Sequence, residues 1–355
     1  MISMVMVTTL HALGKSDLLP TFVKSFSANG WVAWILEVLS IGAVNIFMLI
    51  SGYFLVNSEF KIRRLIELIC QTVLYSAIPF LIFLIAGRLE PGERDIYHML
   101  NSFLPVHMDT YWFITAYVVV YMLSPVITKG LKAISQKQLI TVIAALLIYE
   151  CIFKSLLPFR LTADTKGNSF LWYLIVFLIG AYFRLYGFKL INSVLKGLIV
   201  YFGGSVLILG GLFAIGRIVA ATDRLGGLQE VFLEYNHIFT IIAAIGIFAA
   251  FLHMKPMNET VGKVICFISP MALGVYLFQE SPVLRYEWQK WFGLPGAYDS
   301  PLPLFIIKIL VAVLGMFIMG IVVDLVRRVL FELIYMLIDR IKASKEPEIS
   351  EETEN

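Results

Sequence analysis

The chain has 355 residues, 59% of them hydrophobic and only 15% charged, and its mean hydropathy is +0.84; a soluble domain carries a roughly even apolar share and about a quarter charged residues, so a water-soluble fold does not match. The net charge of +3 is small, and its basic residues are scattered over short gaps rather than gathered in a stripe, which excludes nucleic acid as a partner. Cys70, Cys151 and Cys266 lie inside apolar segments without metal-ligand spacing, so neither a disulfide framework nor a zinc or other metal site is indicated, and all three are expected as buried free thiols.

A bilayer core about 30 Å thick needs roughly 20 apolar helical residues. The first apolar segment runs from Met1 only to Gly14-Lys15, without a basic n-region or a small-residue cleavage site, so it reads as a span whose helix is expected to begin upstream rather than as a signal peptide. Further spans are predicted near 31–56, 65–87, 111–128, 139–157, 168–187, 194–216, 237–252, 262–280 and 302–326. Within 194–216, Gly203, Gly204, Gly210 and Gly211 recur at a seven-residue spacing that suits close approach of a neighbouring helix. Runs such as FLIFLIAG and LFIIKILVAVLGMFIMG are apolar all round, which argues for helices and against a barrel with a polar interior. From Lys342 to Asn355 the chain is polar and Glu-rich without apolar periodicity, and a disordered tail is expected. The predicted fold is an all-α integral membrane protein: a single polytopic bundle of about ten transmembrane helices over residues 1–341, then the acidic tail 342–355.

Lys and Arg set the orientation. Gaps holding Lys61, Arg63 and Arg64, then Lys129, Lys132 and Lys137, then Arg184, Lys189 and Lys196, then Lys255 and Lys263 alternate with neutral or acidic gaps, and Arg327, Arg328, Arg340 and Lys342 follow the last span. With ten spans these groups share one side, which places both termini in the cytoplasm, the acidic 88–110 segment outside, and the protein in the cell membrane.

An ionisable group inside a span costs a few kcal/mol on insertion scales, so His11, Glu37, Glu67, Glu150 and Asp324 each require a reason. Asp324, one turn from Arg327 and Arg328, and Glu67, three residues after Arg64, read as local ion pairs or solvated groups near the inner ends of their helices. His11, Glu37 and Glu150 fall in the outer half of the bundle and can converge there. A neutral His beside a carboxylate is a general base, because the imidazole takes a hydroxyl proton near neutral pH and the carboxylate stabilises the imidazolium. The spacing leaves open whether Glu37 or Glu150 is the partner, and a hydrogen-bonded packing role for a lone membrane His fits equally. At the inner face Lys61, Arg63 and Arg64 suit the phosphates of a nucleotide-containing donor, and positive-inside anchoring produces the same pattern. Tyr111 and Trp112 open the fourth span at the outer interface, as a platform for a sugar or as part of an aromatic belt.

The stretches AVNIFMLISGYFL (43–55), FKIRRLIEL (60–68), YWFITAYVVVYMLSPVI (111–127), NSFLWYLIVFLIGAYFRLYG (168–187) and SPMALGVYLFQESPVLR (269–285) resemble, in that order, the acyltransferase-3 family of membrane proteins, and look closest to the O-acetyltransferases of bacterial capsule and exopolysaccharide clusters. The most specific element is SGYFL, then the basic cluster, then YWF and YxxxYxLSP. The resemblance implies transfer of an acyl group, usually acetyl from cytoplasmic acetyl-CoA, to a hydroxyl of a cell-surface or lipid-linked glycan, with acetyl-CoA as donor substrate and no permanently bound cofactor. In that family the first helix carries an Arg and, after ten intervening residues, a His taken as catalytic; His11 in MVTTLHALGK matches that His, and the Arg falls one position before Met1. A second departure is Gln279 in VYLFQE, where relatives often have His.

On this scheme Lys61, Arg63 and Arg64 meet the CoA phosphates, the thioester threads inward between helices, and His11 deprotonates the acceptor hydroxyl or assists an acyl relay. A rise of 1.5 Å per residue sets His11 roughly 16 Å from the inner end of its helix, within reach of a pantetheine arm. The rival readings are a transporter or flippase of lipid-linked saccharide, which intramembrane His and Glu also suit although the halves of the sequence do not repeat, and a sensor or scaffold in which His11 is dispensable.

Overall fold

A backbone flanked by apolar side chains on every face has only itself to hydrogen-bond in lipid, and the apolar runs are helical. The computed structural model describes residues 1–21, 27–156, 165–222 and 227–351, and among the described residues there is no strand. In chain order the α-helices are α1 Ile2–Gly14, α2 Ala28–Ser40, α3 Ala43–Leu55, α4 Ile62–Ile85, α5 Ile96–Phe103, α6 Trp112–Ala133, α7 Gln136–Leu147, α8 Phe153–Leu156, α9 Phe170–Tyr186, α10 Val194–Thr222, α11 Gly227–Val231, α12 Ile238–Leu252, α13 Glu259–Ile268, α14 Ala272–Gln279, α15 Trp288–Trp291 and α16 Leu302–Glu351. Seven segments are long and apolar enough to cross a membrane: Ala28–Leu55, Ile62–Ile85, Trp112–Ala133, Gln136–Leu156, Val194–Thr222, Glu259–Gln279 and Leu302–Leu337. The α1, α9 and α12 helices are apolar but shorter. This is a multi-pass, all-helical membrane protein.

Three expected spans are not single helices. The first, 31–56, divides into α2 and α3 at the turn Ile41–Gly42. The second, 139–157, passes through a π-helical stretch, Ile148–Ile152, between α7 and α8, and its last residue lies outside the described residues. The third, 262–280, is interrupted by a 3₁₀ turn, Ser269–Met271, where Pro270 has no N–H to continue the ladder. The α16 helix runs on past Lys342 to Glu351, over part of the segment expected as a tail, while 352–355 lie outside the described residues. Lys, Ala and Glu are good helix formers, and extending an existing helix requires no new nucleus. The three thiols are free, but only Cys151 is buried; Cys70 and Cys266 are exposed on α4 and α13.

Small residues set the closest crossings. The α3 and α9 backbones meet reciprocally: a Cβ on Gly52 would stand 2.0 Å from the Phe177 carbonyl oxygen, and one on Gly180 would stand 2.2 Å from that of Leu49. Because the obstructing atoms are backbone, the helices must part to admit any side chain. Gly180→Val is expected to cost more than the ~1–3 kcal/mol typical of overpacking, read as aggregation or a lowered unfolding temperature in size-exclusion and thermal-shift measurements in detergent. Of the glycines at seven-residue spacing, Gly204 packs on Ala243 of α12 and Gly211 on Phe232, whereas Gly203 and Gly210 meet open space. One glycine of each pair therefore faces a neighbour and the other faces outward.

Polar staples hold the bundle around α1, which packs among α2, α3, α14 and α16. Asn45 of α3 donates to the Tyr235 carbonyl at 2.8 Å and accepts from the Trp172 indole of α9 at 2.9 Å. Asp324 pairs with Arg327 as expected, through two hydrogen bonds of 2.7 and 3.0 Å. It is fully buried rather than solvated, however, because Gln71 and Tyr75 of α4 also donate to it at 3.0 and 2.9 Å. Glu67 pairs with Arg63 at 2.9 Å, one turn before it, and not with Arg64; the Tyr335 hydroxyl donates to the same oxygen at 2.8 Å.

Candidate active site

The helices that surround α1 and α6 turn residues at helical spacing onto a cavity of about 440 Å³. From α1 come Met4, Val7 and His11; from α4, Arg64, Glu67 and Gln71. Along α3 the wall extends from Val44 to Leu55, which at 1.5 Å per residue is about 16 Å, roughly half the thickness of a bilayer core. Most of the wall is apolar or aromatic. Arg64 and Glu67 stand in the first two turns of α4, and His11 stands in the last turn of α1.

His11 is held by a carboxylate that the sequence reading did not select. Its Nδ1 lies 3.2 Å from Glu280 Oε1, at ion-pair distance although not aligned as a hydrogen bond. Lys15 Nζ contacts the same Glu280 oxygen, so one carboxylate is shared between an ammonium and an imidazole. Tyr276 lines the cavity with its ring centroid 6.4 Å from that of His11. Gln279, the second departure noted in the sequence, is fully buried, with Nε2 3.9 Å from the Met4 sulfur. Nδ1 faces Glu280, which leaves Nε2 as the ring nitrogen directed away from that carboxylate.

The carboxylates expected beside His11 lie elsewhere. Glu37 is buried in α2 with its Oε2 unpartnered, and among the described residues it is not at ion-pair distance from His11. Glu150 sits in the π-helical stretch, where its carbonyl accepts from Asn236 Nδ2 at 3.1 Å. Helical periodicity places a residue on a face but cannot say which two faces meet, and α14, not α2 or α7, is the element that brings a carboxylate to the end of α1. The basic cluster is also divided. Arg64 lines the cavity, Arg63 is taken up by Glu67 and by the Tyr335 ring 4.3 Å from its guanidinium, and Lys61 is exposed with its backbone N–H and C=O hydrogen-bonded to the Tyr121 hydroxyl.

Nor do the two aromatic residues share a role. Trp112 lines the cavity, its ring stacked on Tyr173 and Tyr235 at 5.8 and 5.5 Å. Tyr111 is 1% exposed and donates its hydroxyl to the Leu277 carbonyl at 3.2 Å, so it packs in the core and offers no face to a sugar. Glu280 had a signal in the sequence. It ends the ninth predicted span as Lys15 ends the first, and in a ten-span count both positions fall on the same side, so opposite charges at those two ends were available to pair.

A family model described as an acyltransferase domain, acyltransferase-3, matches residues 1–321. This range includes α1, the whole cavity and Glu280. No curated protein and no solved structure gives a match.

Proposed function

Because the chain belongs to the acyltransferase-3 family, we propose that this membrane acyltransferase moves an acyl group, acetyl in the first instance, from cytoplasmic acyl-CoA to a hydroxyl of a cell-surface or lipid-linked glycan, with His11 as general base. The observation that carries this reading is one cavity with a guanidinium, Arg64, in the first turn of α4 and an imidazole, His11, in the last turn of α1. The charge bias of the loops puts Arg64 at the inner face of the cell membrane, with both termini inside. Arg64 then meets a CoA phosphate, the pantetheine arm lies against the apolar and aromatic wall, and the thioester carbonyl comes to His11.

The proton and electron count closes. His11 Nε2 takes the acceptor hydroxyl proton as that oxygen attacks the thioester carbonyl carbon. The C–S bond then breaks, and the departing CoA sulfur is protonated by the imidazolium. Glu280, paired with Lys15 and 3.2 Å from Nδ1, stabilises the imidazolium between the two transfers.

Phosphate recognition is tested by Arg64→Ala. Losing a charge-assisted hydrogen bond costs about 1.5–3 kcal/mol, so the KM for acyl-CoA should rise about 10–100-fold with the acceptor KM unchanged, in steady-state assays in lipid nanodiscs. Arg63→Ala should change KM less, because Arg63 is already engaged by Glu67 and Tyr335. Equal effects of the two substitutions would contradict the placement of the donor at Arg64.

A further inference from the structure

A second cavity, of about 350 Å³, has a different wall. In place of aliphatic and aromatic stripes it gathers Glu93, Tyr97, His98, Asn101, Asp109 and Arg285, from the 88–110 segment and from the chain that follows α14. Tyr97 is 57% exposed, and Glu93 and Asp109 are exposed as well, so the cavity is open to a ligand from the side of that segment.

Arg285 lies one hydrogen bond from the residue that faces His11. Its Nη2 donates to the Thr110 carbonyl at 3.0 Å and to the Glu280 carbonyl at 2.9 Å, and the Glu280 carboxylate is the group beside His11. Its buried Nε has no partner among the described residues. Such a donor is costly to leave unmade and marks a place where an acceptor atom belongs. Asp109 likewise makes no side-chain hydrogen bond or ion pair among the described residues.

The chemistry of this wall is that of a polyhydroxylated ligand. Carboxylate, amide and guanidinium groups each offer two polar atoms at the spacing of neighbouring hydroxyls, and the Tyr97 ring, 57% exposed, offers an aromatic surface to the C–H side of a pyranose. Two carboxylates, Glu93 and Asp109, stand against one guanidinium, Arg285, and repel a uronate.

We propose that this cavity is the acceptor subsite and takes a neutral or amino-sugar saccharide, held by Asp109, Asn101 and Arg285 with Tyr97 beneath the ring. The proposal rests on the acyltransferase reading above, since it supplies the alcohol for the His11 site.

The test uses the full chain in lipid nanodiscs and three probes: maltotetraose, a chitosan tetramer and tetragalacturonate. Saccharide binding and acyl-CoA turnover are measured separately for the unmodified protein and for Tyr97→Ala and Asp109→Asn, both exposed positions whose folding is checked by elution profile. The neutral or the amino-sugar probe should bind, and each substitution should weaken it about tenfold, through loss of a charged hydrogen bond at Asp109 or of the ring contact at Tyr97, with the KM for acyl-CoA unchanged. Tightest binding of the uronate, no binding of the other two at millimolar concentration, or unaltered affinity in both variants would overturn the proposal. Saccharide binding that depends on Tyr97 and Asp109 in a protein that leaves acyl-CoA intact would instead remove the acyltransferase reading and leave the saccharide site standing.

Discussion

Cells that carry His11→Ala should lose the O-acyl groups of their surface glycan while exporting the glycan itself at the normal level. A general base contributes about 10²–10⁴-fold to the rate, and among the described residues no other titratable nitrogen lines the cavity near the end of α1. The fold should survive, since Lys15 still bridges α1 to Glu280 when the imidazole is removed. O-acyl content measured by NMR of the extracted glycan, together with total glycan yield, reads both quantities. A fall in yield with acylation intact would favour the transporter reading, and unchanged acylation would favour a scaffold in which His11 is dispensable.

Glu280→Gln should be nearly as damaging, for an electrostatic reason specific to this site. The carboxylate is shared by Lys15 and His11. Removing its charge leaves an ammonium beside an imidazole that must become cationic during the reaction, so the imidazolium loses an attractive neighbour and gains an unscreened repulsive one. In the Ser-His-Asp triad the equivalent amide substitution costs about 10⁴-fold, and here a loss on the order of 10²–10⁴-fold in kcat/KM is expected. A second substitution, Lys15→Met, should restore about tenfold of it by removing the repulsion. A merely structural role for the pair predicts the opposite, because the double variant then has lost two buried contacts and should be worse than either single one.

Much of the fold was legible because one physical requirement dominates: apolar runs in lipid must be helices, and each of the ten expected segments contains α-helix among the described residues. The interruptions were less legible. Pro270 announces the 3₁₀ turn, but nothing local marks the π-helical stretch at Ile148–Ile152, which depends on neighbouring elements. The paired charges show the same division. Arg327 was readable as the partner of Asp324 because they lie on one helix, whereas the donors Gln71 and Tyr75, which turn that pair from interfacial to buried, arrive from α4.

At the candidate site, His11 stood out as an ionisable group in an apolar run, and it lines the cavity that Arg64 and Trp112 also line. Glu280 did not stand out, because a carboxylate at the end of a span looks solvated until the helix carrying it is known to end beside α1. Tyr111 shows the reverse: an aromatic residue at a predicted interface looks available, yet its hydroxyl is committed to the Leu277 carbonyl inside the core.

Following the thioester itself reads the chemistry at His11 without a cell. Purified protein in lipid nanodiscs is supplied with acetyl-CoA and a saccharide acceptor, and free CoA thiol is counted against acyl groups on the acceptor. One acyl group should be transferred per thiol released, with both falling at least 10²-fold in His11→Ala; equal rates with and without the His11 imidazole would rule out the general-base role.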